Sequence, residues 1–464
     1  MSATPVTPEI ASAAQDRAFL GHPRGLGYLS IVEGCERFSY YSMQTLLVLY
    51  MVNYVLLPDH FGNAIGLGWM QQHRYGGLSG QPLSSAIFGD YTSLVYLTPL
   101  LGGLIADRWL GRRTTLILGA MVMALGHFLM AFEAAFLFAL LTLIVGVGLF
   151  KGNIATQVGE LYSQSDLRRA MAFQIFYIAI NVSVIAAPLV SGTLGEKVGW
   201  HWGFGAAGVV MVVGLLIYLA GQRWLPPDNR PVKRPAKQLA GAPRVRMSAR
   251  DWQCFVALAV LVPVLAVALL TNQEIFNAYL VWADKHFQLT FFGTTLPTSW
   301  MITLDAILSF SMLVAVAWFW SRIGARTGRE PDELGKMIIG SFFSIAGGLC
   351  LVIAAASQGS GKIGLFWPVM FHLFNSIGFA HILPVSLALF SRYAPKAITG
   401  FVIGVYYLGF FAANKLVGIV GGWYSSMATT RFWLIHVAAA ALGLAAFTAF
   451  KYLVAPKLTQ QVSA

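Results

Sequence analysis

Residues 27–55, GYLSIVEGCERFSYYSMQTLLVLYMVNYV, decide how the rest of the chain is read. At about 1.5 Å per residue, a helix of this length crosses a hydrocarbon core of about 30 Å. Most of the stretch is apolar, yet it carries Glu33, Glu36, Arg37, Tyr40, Tyr41 and Gln44. Counted from Glu33 the polar positions fall at offsets 3, 4, 7, 8 and 11, which is one face of an α-helix. Two acids and a base cannot be turned towards lipid, so that face must look into protein or a water-filled cavity. The stretch therefore predicts a membrane span inside a bundle of several.

Similar apolar blocks follow, near 86–107, 114–135, 138–160, 170–194, 200–222, 252–283, 298–321, 336–357, 364–391, 398–423 and 431–455. The 464-residue chain is 57% hydrophobic and only 11% charged, far from the balance of a soluble domain. Its blocks run to helical lengths rather than the ten-residue alternations of a membrane barrel. The expected class is an all-α membrane protein of about twelve spans. The net charge of +12 could suggest nucleic acid, but its distribution follows topology. With the spans in place, 23 Lys and Arg fall on one side of the alternation, five on the other, and three (Arg37, Lys151, Lys415) inside spans. Basic residues concentrate in cytoplasmic loops, so both termini are expected in the cytoplasm and no nucleic-acid partner is expected.

The Pro-rich basic stretch 223–250 separates six spans from six more. The expected organisation is a cytoplasmic N-terminus (1–26), a six-helix bundle (27–222), the linker (223–250), a second six-helix bundle (251–455) and a cytoplasmic tail (456–464). The loop after the second span carries GGLIADRWLGRR (residues 102–113), and the loop after the eighth a faded echo, WSRIGARTGR (residues 320–329). Such duplication marks transporters that bind substrate at the midplane between their halves. Cys35, Cys254 and Cys350 give neither a disulfide framework nor metal spacing. The first apolar block is too long for a signal peptide and has no small-residue cleavage site. Phosphate loops, nucleophile elbows and metal-spaced His or Cys clusters are absent from the sequence, so an enzyme is not expected.

Ionisable residues inside spans are costly and find partners. Two carboxylates beside one Arg suit a mobile proton, because like charges and a cation shift such groups in opposite directions. The plain alternative is a salt-bridge network that only holds helices together. Lys151 lies mid-span at a depth like that of Glu33 and Glu36, so it is paired with the acidic stripe. Glu274, Asp305 and Lys415 share one depth in the second half, and Lys415 is expected to bridge one of those acids as a structural ion pair. His127, His372 and His381 read as hydrogen-bonded packing residues.

The stripe EGCERFSYYSM (residues 33–43) resembles the ExxERFSYYG signature of the proton-dependent oligopeptide transporters, a branch of the major facilitator superfamily. YLTPLLGGLIADRWLGRR (96–113), GVGLFKGNIATQVGELY (146–162), FYIAINVS with GWHWGFGAAGVVM (176–211), PTSWMITLD (297–305) and LPVSLALFSRYAPKAITG (383–400) extend the likeness over most of the chain. The resemblance implies a major-facilitator-type fold of two six-helix bundles. It also implies a proton-coupling triad of Glu33, Glu36 and Arg37. Arg37 and Lys151 would meet a peptide carboxylate, and Tyr40, Tyr41, Tyr96 and Asn181 would line the site. Tyr406 stands where many members have Trp.

Five departures accompany it. Gln44 and Gln273 stand where the family usually carries an Arg–Glu ion pair, leaving Glu274 and Asp305 as further proton-coupling candidates. Asp305 occupies a usual Asn position. Phe379 replaces the acid that typically holds the peptide amino group, and Gly152 replaces a Pro. The linker is too short for the two extra helices of many bacterial members. The resulting expectation is a monomeric inner-membrane symporter that takes protons as coupling ion, uses no cofactor, and imports short peptides or related zwitterions. An organic anion or other non-peptide metabolite is the alternative cargo. Drug/proton antiport fits the anion-facing Arg37 and Lys151 poorly, and a non-transporting receptor stays open.

Overall fold

The computed structural model describes residues 16–163, 166–228, 247–359, 361–395 and 398–456. The basic linker from 229 to 246, Lys396 and the tail from 457 onward lie outside the described residues. In chain order the long helices are α1 (Arg24–Tyr50), α2 (Gly80–Ile105), α3 (Arg112–Leu129), α4 (Phe136–Glu160), α5 (Arg168–Ala187), α6 (Trp200–Gly221), α7 (Ala249–Ala268), α8 (Trp300–Thr327), α9 (Glu333–Ala356), α10 (Phe366–Tyr393), α11 (Thr399–Gly421) and α12 (Thr429–Ala449). Single π-helical turns extend α1 through Met51–Val55 and α2 through Ala106–Leu110. A bilayer core offers backbone groups no water, so each span must close its own hydrogen bonds and helix is the available answer. Among the described residues, nine of the helices are long and apolar enough to cross a membrane. The others, α1, α2 and α3, carry the charged stripe, the Ser84, Ser85, Asp90 and Thr92 set, and Arg112 with Arg113. Leu141, Val182, Trp318 and Leu442 are all exposed, as lipid-facing side chains should be. The chain is an integral membrane protein.

The expected spans recur as helices with shifts of a few residues at their ends, and one differs in kind. The seventh, expected as one run over 252–283, is α7 followed by the short helix Leu270–Glu274, a break, and Ala278–His286. Asn277 sits in the break with φ −122° and ψ −110°. Glu274 Oε1 accepts from the backbone N–H of Ala278 (3.2 Å) and from Asn277 Nδ2 (2.9 Å). Asn277 Nδ2 also reaches the carbonyl of Val417 on α11 (3.2 Å), and its Oδ1 accepts from Ser85 of α2 (2.9 Å). Polar side chains thus occupy the groups the break sets free.

The chain divides into two compact units. One comprises Met1–Leu46, Asp59–Gly68 and Leu97–Gly241; the other Leu47–Pro58, Trp69–Tyr96 and Ala242–Ala464. By contact, Leu47–Pro58 and Trp69–Tyr96 cluster with the second unit. Backbone contact accounts for part of this, since a Cβ on Gly89 of α2 would lie 2.5 Å from the Cα of Gly418 of α11.

Small residues do the same work in the first unit, where no hydrophobic force drives helices together in lipid and close backbone approach supplies the packing. A Cβ added to Gly102 of α2 would meet the carbonyl carbon of Gly148 at 2.6 Å and the Cα of Leu149 at 3.0 Å on α4. Gly102→Leu is therefore expected to destabilise the purified protein by about 1–3 kcal/mol or more, read as a lowered melting temperature in detergent; an unchanged melt would mean that the helices are not in this contact. The loop motif 102–113 ties the same unit at one end. Gly111 has φ +78°, which only glycine adopts readily. Arg112 pairs with Glu160 of α4, and Arg113 donates to the carbonyls of Pro226 (2.8 Å) and Leu225 (2.6 Å). In the echo 320–329, Gly328 closes α8 in the left-handed conformation with φ +64°.

The second unit has a core of Leu258, Leu261 and Leu265 of α7, Leu389 and Phe390 of α10, Phe410 of α11 and Phe447 of α12, all buried. Two-residue strands β1 (Thr290–Phe291) and β2 (Thr294–Thr295) form an antiparallel hairpin before α8, with Thr290 opposite Thr295.

Candidate functional site: the buried charges

In the first unit, α1 turns its stripe inward. Glu33 is 1% and Glu36 0% exposed, while Arg37 retains 13%. The i,i+4 spacing brings Glu33 Oε1 to 2.7 Å from Arg37 Nε. Neighbours on a helix do not normally face each other, yet Glu36 Oε2 also lies 3.2 Å from the same nitrogen. Both oxygens of Glu36 are without hydrogen bonds among the described residues. Arg37 engages these acids through Nε, and among the described residues its two terminal nitrogens donate to none.

Lys151 of α4 holds its ammonium 5.3 Å from the ring centroid of Tyr40, a cation–π contact. It lies within electrostatic reach of Arg37, Glu36 and Glu33. Tyr40 and Tyr41 meet edge to face at 5.1 Å. Gln44 is buried. Asn181 of α5 donates to the carbonyl of Tyr177 (2.8 Å), and one turn of α1 approaches α5 where a Cβ on Gly34 would stand 3.1 Å from Ser183 Oγ. The first unit therefore gathers the triad, Lys151 and the two tyrosines into one group of side chains.

The second unit departs from expectation. Lys415 pairs with Asp90 of α2, not with Glu274 or Asp305. Arg74 Nη2 (3.1 Å) and the Tyr75 hydroxyl (3.3 Å) donate to the other oxygen of Asp90. The close approach at Gly89 and Gly418 sets Asp90 and Lys415 beside each other. A cleft of roughly 400 Å³ opens there, lined by Arg74, Tyr75, Asp90, Lys415 and Trp423.

Glu274 and Asp305 do not form one cluster either. Glu274 is spent on the helix break, with its other oxygen 3.6 Å from His436 Nε2 of α12. Asp305 lies 2.9 Å from His372 Nδ1 of α10. Gln273 is buried beside Asn272, to which it donates (3.1 Å). Tyr406 shares a hydrogen bond with Ser386 (3.1 Å), Tyr96 stacks on Phe410 at 5.1 Å, and Phe379 is half-buried on α10.

Sequence reasoning missed Asp90, His436 and the partners of His372. Asp90 could have been flagged as an acid about one turn inside the expected span 86–107, and so as a third possible partner for Lys415. His127, hydrogen-bonded to Ser39, and His381, bonded to Ile377 (2.8 Å) and Trp320 (3.0 Å), behave as packing residues.

Comparison with known proteins gives this arrangement its context. The chain is 28% identical to the transporter YclF of Bacillus subtilis (strain 168), covering 91% of this chain and 92% of the relative. It is 28% identical to the peptide transporter YePEPT of Yersinia enterocolitica, over 88% and 89%. A crystal structure of a peptide transporter POT in complex with sulfate superposes with a TM-score of 0.82 at 25% identity, covering 98% of this chain and 99% of that one. The POT family profile matches residues 113–250 and 255–434, and on that extent the chain belongs to the POT family.

Proposed function

We propose that this protein is a proton-coupled symporter that imports di- and tripeptides or related peptide-like zwitterions by alternating access, as a monomer of a bacterial inner membrane with both termini in the cytoplasm. The observation that carries the reading is Arg37, whose Nε lies against two buried carboxylates, with Lys151 in electrostatic reach. Its terminal nitrogens suit the two oxygens of a carboxylate. A proton taken by Glu33 or Glu36 loosens the hold on Arg37 and frees it, with Lys151, for the substrate carboxylate. Tyr40, Tyr41, Gln44, Tyr96, Asn181, Gln273, Phe379 and Tyr406 are assigned to substrate binding, and Glu274 and Asp305, in addition to the triad, to proton coupling. The Yersinia relative and the solved sulfate complex are peptide transporters by name, which supports the cargo.

The neutral Gln44, Gln273 and Phe379 favour a second reading, in which the same machinery carries an organic anion. Uptake of labelled dialanine into proteoliposomes under an inward proton gradient separates the two. Saturable uptake displaced by di- and tripeptides is expected. Gradient-driven uptake of simple carboxylates that peptides neither share nor inhibit would overturn the peptide assignment.

A further inference from the structure

The second unit buries a chain of three titratable side chains from three elements. Asp305 of α8 contacts His372 Nδ1 of α10 at 2.9 Å, and His372 Nε2 lies 2.8 Å from the hydroxyl of Tyr279 in the segment Ala278–His286. The His372 side chain is 0% exposed and that of Asp305 11%. Trp282, Phe287, Phe371 and Trp433 ring Tyr279.

The ion pairs of the neighbouring elements lie elsewhere. On α9, Glu333 pairs with Arg392 and Lys336 with Glu330, while the face towards α10 presents Gly347, whose added Cβ would meet Asn375 N at 3.2 Å. On α11, Lys415 is on Asp90. On α12, His436 faces Glu274. Asp284 bonds Asn53 (3.0 Å) and Thr298 (2.8 Å). Among the described residues, His372 is thus the ionic partner of Asp305, and no lysine or arginine stands against it.

A buried carboxylate without a fixed cation costs several kcal/mol, more than a hydrogen bond recovers. Asp305 and His372 together are neutral only while they hold one proton, whether as carboxylate with imidazolium or as acid with imidazole. The Tyr279 hydroxyl can donate to Nε2 or accept from it, so the imidazole keeps both hydrogen bonds in either state. Glu274 with His436 is a similar pair, but both side chains are 0% exposed, whereas Asp305 retains 11%.

We propose that Asp305 and His372 form an exchangeable proton-binding site in the second unit, separate from the α1 triad, with Tyr279 holding the imidazole in place. This deepens the proton-coupled reading, on which its use in transport rests, while proton binding itself can be read without transport. Infrared difference spectra of the purified protein in lipid, taken across a pH step, should contain a carboxyl or imidazole feature. It should be lost in Asp305→Asn and in His372→Gln, shifted in Tyr279→Phe, which preserves the ring packing, and retained in the Glu33→Gln/Glu36→Gln double variant. Spectra of folded Asp305→Asn and Tyr279→Phe that superimpose on the unaltered protein overturn the site. If the feature behaves as stated while the unaltered protein shows no proton-driven uptake, the site stands and the symport reading falls.

Discussion

Replacing Glu33 or Glu36 by Gln is expected to leave proteoliposomes that equilibrate substrate but no longer concentrate it. One charge moving across 100 mV is worth about 2.3 kcal/mol, or roughly fortyfold accumulation per coupled proton. A variant that binds substrate without carrying the proton loses that factor and settles near equal concentrations. Exchange of labelled for unlabelled substrate at zero gradient moves no net proton, so counterflow should persist. Both acids address one nitrogen of Arg37, and an amide in place of either weakens the hold on the guanidinium without emptying the space. Persistence of the full accumulation ratio in both single variants would remove the stripe from the coupling mechanism.

Arg37→Met is expected to cost about 3–5 kcal/mol of stability, the usual result of stripping one partner from a buried ion pair. Methionine fills much of the volume, so packing loss is small and the electrostatic loss dominates. Glu36 is the sensitive group: it is 0% exposed and accepts no hydrogen bond among the described residues, so Arg37 is its contact counter-charge. Adding Glu33→Gln and Glu36→Gln to Arg37→Met should restore most of the loss, because the uncompensated charges go too. Unfolding of the unaltered protein, the single variant and the triple variant in mixed micelles reads this directly. A single Arg37→Met variant within about 1 kcal/mol of the unaltered protein would show that Lys151 or penetrating water already neutralises the acids.

The positions of the spans were legible because each is a long apolar run punctuated by charge, and that pattern is local. The α1 triad was legible for the same reason: Glu33, Glu36 and Arg37 meet through helical spacing on one element. Lys415 was not. Counting residues from a span end gives the depth of a side chain but not the direction in which it points, and Lys415 meets Asp90 at a separation of 325 residues. The interruption in the seventh span was hidden differently. Pro263 lies inside α7 without breaking it, whereas the interruption comes at Ile275, Phe276 and Asn277, where neither Pro nor Gly marks it. It is stabilised by groups from α2 and α11, which no window around residue 277 contains.

That dependence reaches back to synthesis. When the seventh span leaves the ribosome, Ser85 has already been made but Val417 has not, so Asn277 meets the membrane with part of its hydrogen bonding still owed by a helix that emerges some 140 residues later. Polar groups left open in lipid cost several kcal/mol each. Until the penultimate helix arrives, the break in the seventh span rests on Glu274 and Ser85 alone, and its last hydrogen bond closes only when the C-terminal part of the chain has been made.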